Sequence, residues 1–208
     1  MLNNIKFLPL DLPMAICDPD KIKNYMDRKG KRTDYDWTKK INDPWNHVVI
    51  RLPELTHSID EIPGSGWRAD FKRTFPEVVK TVESFPYTEI KYVYILEQVI
   101  DVIPHLDYAS KNPLLHLEPA TYRITLLIED GETFYCCKDK DCTDTVFPVF
   151  PEDTNSWVFS NKEFMHGSII PKNGKRKILL AVGGTLDESR HFELLSRSAD
   201  KYIKFIIT

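Results

Sequence analysis

The stretch KYVYILEQVIDVIPHLDY (91–108) decides the fold. It is a β-rich run, and six more follow: TYRITLLIED (121–130), ETFYCCKD (132–139), TVFPVF (145–150), SWVFS (156–160), MHGSII (165–170) and RKILLAVGG (176–184). Turn residues separate them, and Asp130-Gly131 and Asn173-Gly174 read as hairpin signals. Seven short runs without helical patterns between them predict a mainly β fold, a sandwich or barrel of antiparallel strands.

Upstream the texture differs. Residues 1–44 read as an irregular or partly helical extension, with Asp18-Pro19-Asp20 starting a helix near 20–28 and a solvated basic turn at RKGKR (28–32). NHVVIRL (46–52) is a strand. After the Pro63-Gly64-Ser65-Gly66 loop, Phe71, Phe75, Val78, Val79 and Val82 fall on one helical stripe, and Pro76 places the start of that helix near itself. The tail is expected to form a helix around 188–204. The expected organisation is one domain over 1–208: an extension and supporting helix to 89, a β core over 90–186, and a tail over 187–208.

Composition bounds the rest. Among 208 residues, 42% are hydrophobic, enough for a real core, while 28 basic against 31 acidic side chains leave a net charge of −3. So nearly neutral a chain gives no electrostatic case for nucleic acid or an anionic membrane. No signal peptide and no membrane-length apolar run is read, so the expected compartment is the cytoplasm, with free thiols at Cys17, Cys136, Cys137 and Cys142. The Cys-Cys-x4-Cys spacing of the last three lacks a fourth ligand and does not make a zinc site.

The chemistry starts at His105-Leu106-Asp107. On a strand, residues i and i+2 share a face, so the imidazole and the carboxylate project together. Alone this is weak. His166, beside another expected strand, supplies a third ligand type. Two histidines and one carboxylate on one face of an ion leave open positions, as in non-haem Fe(II) oxygenases; ordinary strand histidines with satisfied hydrogen bonds carry equal weight on spacing alone. Arg176 tips the balance. It shares a face with Ile178, Leu180 and Val182, the more apolar side of its strand, where a guanidinium needs an anionic partner. A two-residue turn at Asn173-Gly174 would set His166 opposite Ala181. A three-residue loop over 172–174 sets it opposite Leu180, on the face of Arg176, and a ligand pocket needs that odd-length loop.

HLD, then MHG, then Arg176 ten residues on resembles the Fe(II)/2-oxoglutarate-dependent dioxygenases. SWVFSNKEFMHGSIIPKNGKRKILLAVGG (156–184) and PHLDY followed by YRITLLI are similar to the aspartyl/asparaginyl β-hydroxylase and prolyl-hydroxylase-like branches. The resemblance covers roughly residues 92–186. It implies a double-stranded β-helix (a jelly roll, cupin-like), with Fe(II) held by His105, Asp107 and His166 and the distal carboxylate of 2-oxoglutarate held by Arg176. Arg123 and Thr125 stand where the β-hydroxylase branch has an Arg-x-His pair that helps bind the co-substrate; Thr125 replaces that histidine, and asparaginyl-type relatives often lack the carboxylate that Asp107 supplies. The implied reaction consumes O2 and decarboxylates 2-oxoglutarate to succinate and CO2. It hydroxylates an amino-acid side chain, a peptide or a small metabolite.

Around these residues, 108–120 reads as a lid over the ligand pair, with His116 more readily a plain loop histidine than a substrate contact. Tyr92, Tyr94 and Gln98 line the pocket or pack the core. Two other readings stay open: a cupin-like metalloenzyme that does not use 2-oxoglutarate, which gains if Arg176 meets no co-substrate, and a non-catalytic jelly-roll binding module.

Overall fold

A computed structural model of the chain describes residues 5–32, 45–51, 66–106, 121–129, 133–160 and 164–208. Its strands run in chain order as β1 (Phe7–Pro9), β2 (Lys31–Arg32), β3 (Trp45–Arg51), β4 (Tyr87–Gln98), β5 (Val102–His105), β6 (Thr121–Ile128), β7 (Phe134–Cys137), β8 (Thr145–Val146), β9 (Ser156–Phe159), β10 (His166–Ser168) and β11 (Lys177–Leu186). They form two antiparallel sheets in a jelly-roll arrangement: a larger one in the order β1-β9-β6-β11-β4-β3-β2 and a smaller one in the order β5-β10-β7-β8.

Local chemistry sets the helices. In α1 (Pro19–Lys29), the Asp18 side chain accepts from the amides of Asp20 and Lys21, proline occupies the first turn, and Arg28 and Lys29 close the last. The stripe over 67–84 is two helices, α2 (Ala69–Thr74) and α3 (Pro76–Glu83), because Pro76 can open a helix but not continue one. Helix α4 (Glu188–Lys201) is capped by Asp187, which accepts from the Arg190 amide. No helix among the described residues is long and apolar enough to cross a membrane.

The larger sheet is covered on both faces, which explains why β11 reads as an unbroken apolar run. On one face Val93, Ile95, Tyr122, Ile124, Ile178, Leu180 and Val182 join Tyr25, Met26, Phe71, Phe75, Val78 and Val82 in the main core. The opposite face looks across at the smaller sheet. There Phe7, Phe134, Cys136, Trp157 and Phe159 make a second, mostly aromatic cluster. Strands β1, β2 and β3, within the segment expected as an extension, all belong to the larger sheet.

The expected hairpins are corrected. Strand β10 pairs with β5 and β7, whereas β11 pairs with β4 and β6. His166 therefore opposes neither Ala181 nor Leu180. The turn between them is a tight two-residue one, with Asn173 and Gly174 both left-handed (φ 57° and 70°) and the Lys175 amide donating to the Lys172 carbonyl at 3.1 Å. It reverses the chain from one sheet to the other. Strands β6 and β7, either side of Asp130-Gly131, likewise sit in different sheets, and residues 130–132 lie outside the described residues.

Candidate functional site

His105 ends β5 and His166 begins β10, and the two are direct cross-strand partners. Their ring centroids lie 4.5 Å apart. His166 is buried and His105 half-buried. Each ring is fixed the same way, through Nδ1 and the carbonyl two residues before it: Ile103 at 2.8 Å for His105 and Phe164 at 3.2 Å for His166. A carbonyl can only accept, so each Nδ1 carries a proton, and in the neutral ring the lone pair then sits on Nε2. That is the tautomer a metal-binding imidazole needs, already oriented by its second nitrogen.

The spacing suits a shared ion. Two imidazoles bound through Nε2 at about 2.1 Å on adjacent corners of an octahedron put their ring centres about 4.6 Å apart. Asp107, the expected third ligand, lies outside the described residues, as do 108–120 and His116. Among the described residues no group of three or more His, Cys, Asp or Glu side chains is placed to hold a metal.

An aromatic wall backs His166. Phe159 meets it edge-on at 4.7 Å and Phe134 lies at 6.0 Å. Trp157, packed on both, donates its indole N–H to the Thr125 hydroxyl at 3.0 Å. Arg123 stacks over Phe159 at 5.5 Å. Register puts Arg123 opposite Ala181 and Thr125 opposite Leu179, so both face the space between the sheets. Tyr92 and Tyr94, 5.3 Å apart, and Gln98 occupy the same face of β4.

Gly167 allows this packing. A side chain there would meet the Tyr135 hydroxyl at 2.3 Å and the Val102 carbonyl at 2.7 Å, so only glycine lets Tyr135 cross β10 and reach Val102.

Arg176 is elsewhere. Its face of β11 is the one packed on the helices, and its guanidinium pairs there with Glu97 and, at 2.9 Å, with Asp27 of α1. Its backbone N–H donates to Glu129, whose carboxyl Lys23 and this amide hold below the usual range. The anionic partner that its apolar face demanded is thus the protein's own. The next residue takes the opposite direction. Lys177 is 2% exposed, faces the smaller sheet, and donates through Nζ to the Ser168 hydroxyl at 2.7 Å. Lys177, Ser168 and the nearby Thr133 are the residues that sequence reasoning missed. The available signal was a second basic residue beside Arg176, which alternation turns to the opposite face of β11, the side where Gly183 accommodates the Tyr92 ring.

The cysteines also need a correction. Cys137 and Cys142, expected as free thiols, form a disulfide. Asp139 accepts from the amides of Asp141, Thr143 and Asp144, and this tight turn brings the two Cα atoms to 4.9 Å, within disulfide reach. Cys17 and Cys136 are free. Burial pushes the Cys136 thiol up to about 12, partly opposed by Lys6.

No protein-family model and no curated protein matches the chain. Solved structures do resemble it. A viral collagen prolyl hydroxylase from Paramecium bursaria Chlorella virus-1, in complex with 2OG, is 11% identical over 83% of this chain and 93% of its own, with a TM-score of 0.39. An oxidoreductase of the 2OG-Fe(II) oxygenase family from Burkholderia pseudomallei is 15% identical over 78% and 75%, at 0.39. A prolyl hydroxylase from Trichoplax adhaerens, bound to a peptide of the hypoxia-inducible factor, is 9% identical over 84% and 78%, at 0.41. These neighbours are 2OG-Fe(II) oxygenases. The likeness is distant.

Proposed function

We propose that this chain is an Fe(II)- and 2-oxoglutarate-dependent oxygenase that hydroxylates an amino-acid side chain, a peptide or a small metabolite. The observation that carries the reading is the His105–His166 pair: cross-strand neighbours 4.5 Å apart, both held through Nδ1 as the tautomer that binds metal through Nε2. Asp107, two residues on, is the carboxylate assigned to complete the set. Bound iron would activate dioxygen, coupled to decarboxylation of 2-oxoglutarate to succinate and CO2.

The protein's own groups orient the reactants. Lys177, a buried cation facing the smaller sheet, is assigned the distal carboxylate of 2-oxoglutarate in place of Arg176; an ammonium offers a point charge where a guanidinium would offer a fork. Its partner Ser168 stands two residues after His166, about 7 Å along the strand, which suits a small dicarboxylate reaching from metal to ammonium. Arg123 and Thr125 are read as further co-substrate contacts. Phe134, Trp157 and Phe159 exclude water from the His166 side of the cleft.

The test is anaerobic titration with Fe(II) and 2-oxoglutarate, then succinate release against a panel of peptides and amino acids. Stoichiometric iron and substrate-stimulated succinate are expected, with both abolished in His166→Ala. Succinate formation that survives His166→Ala would overturn the assignment.

A further inference from the structure

Four buried groups form a chain of fixed polarity between the sheets. Gln98 on β4 is 4% exposed, and its Nε2 donates to two carbonyls, Ile100 and Ser168, each at 3.0 Å. Both carbonyls accept only, so the amide can sit in one orientation, with Oε1 toward the Ser168 hydroxyl. That hydroxyl lies 2.7 Å from Oε1 and must donate to it. With its single proton so committed, the Ser168 oxygen presents lone pairs to Lys177 Nζ, 2.7 Å away. Thr133, at 3.5 Å from the same oxygen, is a weaker fourth member.

We propose that Ser168, its hydroxyl oriented by Gln98, is a positioning residue that holds the Lys177 ammonium where it meets the distal carboxylate of an acidic co-substrate. This rests on the reading of Lys177 given above. A buried ammonium on a four-carbon stem has many rotamers, and an acceptor of fixed polarity on the facing strand selects one of them. Ser168 shares β10 and a face with His166, so the strand that carries the imidazole also sets the ammonium's distance from it.

Binding separates this role from simple packing. Isothermal titration of the Mn(II)-loaded protein uses two probes, 2-oxoglutarate and 2-oxopentanoate, which differ only in the distal carboxylate. In Ser168→Ala, 2-oxoglutarate is expected to bind roughly tenfold more weakly, the loss of one charge-assisted hydrogen bond. Binding of 2-oxopentanoate should stay unchanged, and Ser168→Thr should restore most of the difference. Gln98→Met, which frees the hydroxyl to turn, should give a smaller loss with the same selectivity and serves if Ser168→Ala does not fold. Equal losses for both probes, or no loss for either, would overturn the positioning role. If the unmutated protein shows no preference for 2-oxoglutarate over 2-oxopentanoate, the reading of Lys177 itself falls, and this inference with it.

Discussion

Arg176 and Lys177 are adjacent, basic and held by the same sheet, yet they live in opposite chemical settings. Arg176 turns to the helices and is neutralised within the fold by Glu97 and Asp27. Lys177 turns to the facing sheet, where its ammonium donates to the Ser168 hydroxyl. The contrast shows that a charge on the more apolar side of a strand need not mark a ligand. When both faces of a sheet are covered, apolar character alone does not tell which of them meets a ligand.

Exchanging each cation for methionine tests that contrast most strongly. Arg176→Met leaves Glu97, with only 12% of its side chain exposed, without its guanidinium, and should cost on the order of 3 kcal/mol in chemical denaturation. Its affinity for 2-oxoglutarate should barely change. Lys177→Met should do the reverse, keeping stability within about 1 kcal/mol while weakening 2-oxoglutarate binding by roughly 10- to 100-fold. If Arg176→Met is the variant that loses the co-substrate, the two roles are the wrong way round.

A smaller effect is expected at Gly167. Alanine there must displace the Tyr135 ring or the β5 backbone. About 1–3 kcal/mol of stability should be lost, together with iron affinity, since β5 and β10 carry the two imidazoles. Full iron uptake in Gly167→Ala would separate strand spacing from metal binding.

The smallest effect lies on the helix side. Burial keeps the Tyr122 hydroxyl protonated and lowers the basicity of His191, so Tyr122 donates to His191 Nδ1 at 2.6 Å. The unfolded chain takes up a proton at His191 near the ordinary value of 6.5 and the folded chain only at lower pH. Stability from this pair is therefore full above about 6.5 and declines as pH falls from there toward the depressed folded value. His191→Phe should flatten that slope in thermal melts between pH 7 and 5, and an unaltered slope would place the acid sensitivity elsewhere.

The same contrast explains what was readable in the sequence. The β runs, the Pro76 break and the caps at Asp18 and Asp187 depend on local sterics and hydrogen bonds, and local sequence carries them. The resemblance set His105 beside His166, and they are cross-strand neighbours, whereas alternation alone related His105 only to Asp107. Which strands pair was not legible. A jelly roll sends consecutive strands to different sheets, so the link from β10 to β11 resembles a hairpin locally while its flanks bond to other partners. Lys177 was passed over because alternation turns it away from Arg176 and does not say which covered face meets a ligand. The Cys137–Cys142 bond depends on the turn that Asp139 organises, which the spacing alone does not show.

Strand β10 is only three residues long and carries His166 and Ser168 at its two ends, with Gly167 between them. A slip of a single position would swing both side chains to the outer surface and turn the glycine inward. Under the proposed chemistry, a misregistered molecule would lose its grip on iron and on the co-substrate in one event. A preparation should then divide into fully competent and wholly inert molecules, with no half-active population between.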